Sequence, residues 1–254
     1  MNRRSFVGSL AVAGVAGAQT IKQTRVFLLQ QFHLKNGTQK ARLDQYLSAG
    51  LLPAMAKLSQ TPLLCLEGVV AGHLPQMSLI SGYGSEAELR SLREQLFVDE
   101  AHRTAFEAWE RGEEAPYENY SLALLAATDY SPDLAALKPP PKAPRIFELR
   151  VYHSPTVRQL AALHERFAGP EVRIFARCGI HPILYSSTAI GPNMPNLTYV
   201  IPFDDLAARD KAWSAFGSDP EWVKVRKESI DRSGQISIDS QISLHRATAY
   251  SPLR

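Results

Sequence analysis

The sequence predicts an α+β fold made of two tandem ferredoxin-like units, each ordered βαββαβ. Three observations predict it. The hexamers "ATDYSP" (127–132) and "ATAYSP" (247–252) begin 120 residues apart, 247 minus 127. The same offset pairs Phe27 with Phe147, Leu29 with Leu149, His33 with His153, Leu64 with Leu184, Pro75 with Pro195 and Leu124 with Leu244. One gapless register over about a hundred residues marks duplication of a single unit. Within each copy the hydrophobic period then switches between two and 3.6 in the order strand, helix, strand, strand, helix, strand. Finally, "DYSPDLAALKPPPKAP" (129–144) separates the copies with three successive prolines, the composition of a stiff, extended linker.

The elements follow in order. In the second copy (145–254), "RIFELRVYHS" alternates Phe147, Leu149 and Val151 with Glu148, Arg150 and Tyr152, as a strand with two different faces does. "TVRQLAALHERF" places Leu160, Leu163 and Phe167 on one helix face, Pro170 breaks the helix or starts a further turn, and Gly179 suits a C-cap. "HPILYSSTAIG" and "LTYVIPF" read as strands around the turn "GPNMPN". "DDLAARDKAWSAF" is a second helix, and "SDPEW" opens a third, with Ser218 as N-cap, Pro220 in the first turn and Glu221 completing a capping box. "SQISLHRATAY" closes the unit. The first copy (24–128) repeats this: "RVFLLQQFHL", a helix over 38–58, "PLLCLEGVVAG", "QMSLISGY", helices over 85–96 and up to Trp109, and "NYSLALLAAT". A four-stranded sheet of this kind covers one face with helices and leaves the other bare. Two copies in one chain would pack those bare faces together or curve into a pseudo-symmetric barrel, giving a monomeric pseudo-dimer or a homodimer of such chains.

Residues 1–18, "MNRRSFVGSLAVAGVAGA", carry twin arginines, an apolar stretch and a small-residue cleavage site. This reads as a Tat-like export signal, too short to span a bilayer, with a mature start near Gln19 in the periplasm or outside the cell; Sec export or an uncleaved anchor are the alternatives. The formal charge is +3, from 28 basic and 25 acidic residues; without Arg3 and Arg4 it is +1. That balance gives no electrostatic footprint for nucleic acid. Cys65 and Cys178 do not correspond under the offset and are expected as separate buried thiols. There is no nucleophile elbow, P-loop, dinucleotide glycine fingerprint or Cys/His cluster, so no metal site is expected.

"FELRVYHS", "NMPNLTYVIPFDDLAARDKAW" and "DPEWVKVRKES" make the second copy resemble NIPSNAP-family domains of the dimeric α/β-barrel superfamily. The resemblance implies that fold closed within one chain. It leaves the chemistry open, because the superfamily includes haem-degrading and quinone-forming monooxygenases and chlorite dismutases.

If Phe147, Leu149 and Val151 face the helices, then Glu148, Arg150 and Tyr152 face the barrel interior, where the first copy has Leu28, Gln30 and Phe32. Buried charge requires pairing. Glu148 and Arg150 would therefore either form an interior ion-pair network between the sheets or line a pocket. In a pocket Arg150 suits a carboxylate or phosphate, and Tyr152, Tyr185 and Tyr199 would supply aromatic walls. His33 and His153 end equivalent strands and are expected to hydrogen-bond the turn into the following helix rather than a metal or haem. His164 is expected on a solvent-facing helix surface. The leading functional expectation is an exported binder of a small aromatic or anionic ligand, without a cofactor. The alternatives are a cofactor-free or haem-dependent monooxygenase and a structural module with a sealed core.

Overall fold

In the computed structural model, which describes residues 24–59, 63–135 and 143–254, eight strands form one closed barrel in the order β1-β3-β2-β8-β5-β7-β6-β4. The first repeat contributes β1 (Val26–His33), β2 (Leu64–Val70), β3 (Gln76–Tyr83) and β4 (Asn119–Ala127). The second contributes β5 (Ile146–His153), β6 (Leu184–Ile190), β7 (Asn196–Phe203) and β8 (Asp239–Ala247), each offset by 120 at both ends. Seams between β2 and β8 and between β4 and β6 join the halves, so neither sheet keeps an open edge. Residues 1–18 and residues 136–142 of the linker lie outside the described residues.

The helices lie outside the barrel. In the first repeat α1 (Gln39–Tyr46) and α2 (Leu52–Leu58) are joined by a π turn, Leu47–Leu51, followed later by α3 (Glu86–Val98) and α4 (Glu100–Glu110). The second repeats the plan with α5 (Val157–Arg166), a π segment Phe167–Glu171 kinked at Gly169, α6 (Val172–Arg177), α7 (Leu206–Ser218) and α8 (Pro220–Ser233). Gly179, at φ +83, follows the α6 cap as its role requires. The α8 cap is Asp219, whose carboxylate accepts from Trp222 N, and Ser218 instead ends α7, its hydroxyl turned back to the carbonyl of Ser214.

The repeated hexamer clasps the two halves reciprocally. Ser131 Oγ accepts from Tyr185 N and Ser251 Oγ accepts from Cys65 N, both at 3.0 Å. Each serine thus satisfies a backbone donor of the other repeat. The adjoining tyrosines also reach across: Tyr130 Oη meets His164 Nδ1 at 2.7 Å, and Tyr250 Oη donates to Asp44 Oδ1 at 2.5 Å. His164, expected in solvent, is therefore half-buried between Tyr130 and Ser187.

The strand faces are the reverse of the expected ones. Phe27, Leu29, Phe147, Leu149, Leu184 and Val200 fill the barrel. Glu148, Arg150 and Tyr152 face the helices. The reason is pairing: Arg209 and Trp213, both on α7, reach Glu148, as the cost of burying charge demands.

Candidate functional site

The two helix-covered faces differ in what they hold. In the second repeat, Glu148 is fully buried and bonded to Arg150, to Arg209 Nε at 2.6 Å and to Trp213 Nε1 at 3.0 Å. The Arg150 guanidinium lies 4.1 Å from the Trp213 ring centroid and 5.2 Å from that of Tyr152, a cation–π sandwich. Tyr152 meets Tyr199 at 5.3 Å and Tyr199 meets Tyr185 at 5.7 Å. The five residues singled out from the sequence thus converge, with Arg150 spent on Glu148 and on two rings. Deeper in, Arg166 Nε pairs with Glu171 Oε2 at 2.7 Å; burial pushes the Glu171 carboxyl up to about 7, against the pull of Arg166.

In the first repeat the matching positions carry Leu28, Gln30 and Phe32 for Glu148, Arg150 and Tyr152, and Arg93 for Trp213. A cavity of about 340 Å³ opens there between β1, β3 and the helices. Its walls are aromatic. Trp109 stacks on Tyr46 at 4.8 Å and 6°, Phe32 meets Tyr120 at 4.8 Å, and Tyr117 and Phe106 complete the box. Few polar groups enter it. Gln30 Nε2 donates to Tyr120 Oη at 2.7 Å, and Ser81 Oγ bonds Tyr83 Oη at 2.8 Å. The buried indole Nε1 of Trp109 has no hydrogen-bond partner. Such a donor is costly to leave unpaired.

Tyr46 and His102 form a hydrogen-bonded pair in the cavity wall able to relay a proton. His102 Nδ1 lies 2.8 Å from Leu96 O, so it carries the hydrogen, and in the neutral ring Nε2 accepts from Tyr46 Oη at 2.9 Å. Burial raises the Tyr46 phenol well above its usual range. Both ring nitrogens of His102 are thus engaged in hydrogen bonds. Among the described residues no group of three or more His, Cys, Asp or Glu side chains could hold a metal ion.

His33 and His153 point into the barrel end. His33 stacks on His73 at 4.8 Å and His153 Nδ1 meets Asn193 O at 3.1 Å. Their neighbours are hairpins, since the inward strand face carries them away from the helix turn. Cys65 is buried and Cys178 half-buried, and both are free.

This architecture is the dimeric α/β barrel, closed inside one polypeptide. A candidate monooxygenase from Lactobacillus acidophilus NCFM has the same fold at 12% identity, with a TM-score of 0.55, over 89% of this chain and 95% of its own. An anthrone oxidase-like protein aligns at 14% identity and TM-score 0.53 over 89% and 92%, and a chlorite dismutase candidate at 12% and 0.52 over 90% and 96%. The second repeat is similar to NIPSNAP domains: the NIPSNAP family model matches residues 147–252. No curated protein matches the chain.

The sequence pointed to Glu148, Arg150, Tyr152, Tyr185 and Tyr199 in the charged copy, whereas the aromatic-walled cavity lies in the other. The available signal was the offset itself: where the second repeat has Glu148, Arg150 and Trp213, the first has Leu28, Gln30 and Arg93, none of which can rebuild the buried network.

Proposed function

We propose that the protein binds a small, flat, largely apolar molecule with one hydrogen-bond acceptor in the helix-face cavity of its first repeat. The observation that carries this reading is the unpaired Trp109 indole N–H in the wall of an aromatic cavity. An aromatic ligand would pack against Trp109, Tyr46 and Phe32 and, with a small shift of the buried indole, accept from that donor. Arg93 and Glu110, both exposed, flank the entrance. Titration with β-naphthol, read by tryptophan fluorescence, tests it: saturable binding that weakens in Trp109→Phe supports the reading, and absence of binding to the folded protein overturns it.

A second reading has its own observation. The Tyr46–His102 pair would accept a proton from a bound phenol, the step that a cofactor-free oxygenation of an activated ring requires before dioxygen reacts. The neighbours described as a candidate monooxygenase and an anthrone oxidase-like protein make this the enzymatic alternative. Oxygen uptake with anthrone, lost in His102→Gln, would support it.

The leader supports an exported protein. Amino-terminal sequencing of material from the periplasm should begin near Gln19.

A further inference from the structure

The same strand that lines the helix-face cavity with Leu28, Gln30 and Phe32 turns Leu29, Gln31 and His33 to the other side. There, a second cavity of about 600 Å³ occupies one end of the barrel. Its floor is aliphatic, formed by Leu29, Leu125, Leu149 and Val151. Above the floor the strands turn polar but carry no charge. Asn196, Thr188 and Thr198 are buried and joined through Asn196 Oδ1, with Thr188 Oγ1 at 2.9 Å and Thr198 Oγ1 at 3.0 Å. Ser121, Gln241 and Ser243 face them. Among the described residues no Asp, Glu, Lys or Arg lines the cavity, and two histidines, His33 and His73, stack on each other at its edge.

The space has a structural cause. Both seams between the repeats shift register at this end, between Gly68 and Val70 and between Leu124 and Leu125, and such irregularities bend and splay strands. Small side chains then leave the middle empty. Gly191 is part of this: a Cβ there would stand 2.8 Å from that of Ala123, so any larger residue would push the β4–β6 seam apart. Ile242, which lines the cavity, is exposed, as are Val70, Leu74, Ile190 and Met194 on the strand ends and hairpins of this side of the barrel, with Met194 at 47% and Ile190 at 67%.

We infer that the open end of the barrel is a second binding site, for an uncharged aliphatic molecule with an amide or hydroxyl head group. The aliphatic part meets the Leu29, Leu125 and Leu149 floor, and the head group exchanges hydrogen bonds with the amides and hydroxyls above it. A charged head group would be desolvated without a counter-ion and is rejected. The site is separate from the helix-face cavity, with β1 as the wall between them, and it stands whether or not that cavity binds an aromatic ligand.

Hexanamide is the probe, with hexanoate and hexylammonium as charged molecules of the same length, and methyl NMR of the full chain as the measurement. Hexanamide should shift the methyls of Leu29, Leu125, Leu149 and Val151 and leave those of Met55 and Leu96, in the other cavity, unmoved. The charged probes should bind about tenfold more weakly or less, the discrimination expected of a site that gives a charge no partner. Ser121→Phe, which plugs the opening, should abolish the shifts; Val151→Phe is the second plug if the first variant does not fold. The inference is overturned if hexanamide leaves the barrel methyls unmoved, if hexanoate binds as well as the amide, or if binding survives in a folded plugged variant.

Discussion

The two repeats share strand limits, register and helix order, yet one helix-covered face is filled by a charged and aromatic network and the other is hollow. Four positions account for much of this. Arg166, Glu171, Trp222 and Ser229 of the second repeat correspond to Tyr46, Leu51, His102 and Trp109 of the first. In the second, Arg166 lies against Trp222 at 4.9 Å and bonds Glu171 and Ser229. In the first, the ion pair is gone and an aromatic wall with a proton-carrying Tyr–His pair replaces it. Backbone duplication therefore fixes the shell, and side-chain volume and charge at a few matched sites decide whether the shell encloses space. A buried ion pair is expensive unless every partner is present, so the filled repeat depends on each member of its network.

The largest effect should come from breaking that network. Glu148→Gln would leave Arg150 and Arg209 without their carboxylate, and denaturant unfolding should register a loss of about 3–5 kcal/mol. Leu28→Ala, the matched change in the hollow repeat, faces a cavity already present and should cost less, about 2 kcal/mol. Equal losses would dissolve the contrast.

Acid should act next, through the barrel that both repeats share. His245 is fully buried and burial lowers its imidazole to about 4, from an ordinary 6.5. A depressed folded value means that stability is complete above about pH 6.5 and declines as pH falls through about 4, by roughly 3 kcal/mol in all. His245→Gln should flatten that part of the profile, as pH-dependent unfolding would reveal. A smaller effect should follow loss of the reciprocal clasp. Ser131→Ala and Ser251→Ala each strand a backbone donor of the opposite repeat and should cost about 1–2 kcal/mol apiece, similar for the two because the contacts are matched. At the small end, Tyr185 carries a buried hydroxyl with no partner in the filled face. Tyr185→Phe removes that orphan and should leave thermal stability unchanged or slightly higher, within about 1 kcal/mol.

The duplication, the strand order and the closure of the barrel were readable in the sequence because a gapless offset and alternating hydrophobicity depend only on the chain itself. The facing of β5 was not. Phe147 and Glu148 both need burial, and the choice between inside and outside was made by Arg209 and Trp213, sixty residues downstream by number (209 minus 148 is 61). The same long-range dependence hid the cavity. Gln30, Ser81 and Trp109 lie far apart in the chain, and none is unusual alone; what distinguishes them is the room left around them. His164 likewise looked exposed on its own helix, but Tyr130 of the other repeat's exit segment and Ser187 half-bury it.

The central claim is that ligand binding on the helix-covered faces belongs to the hollow repeat and not to its filled twin. Methyl NMR during β-naphthol titration measures this directly. Shifts at Met55, Leu79 and Leu96, with Leu163 and Ile201 of the second repeat unmoved and the response weakened about tenfold by Trp109→Phe, are what the account predicts. Shifts centred on Leu163 and Ile201, or an unaltered response in Trp109→Phe, would contradict it.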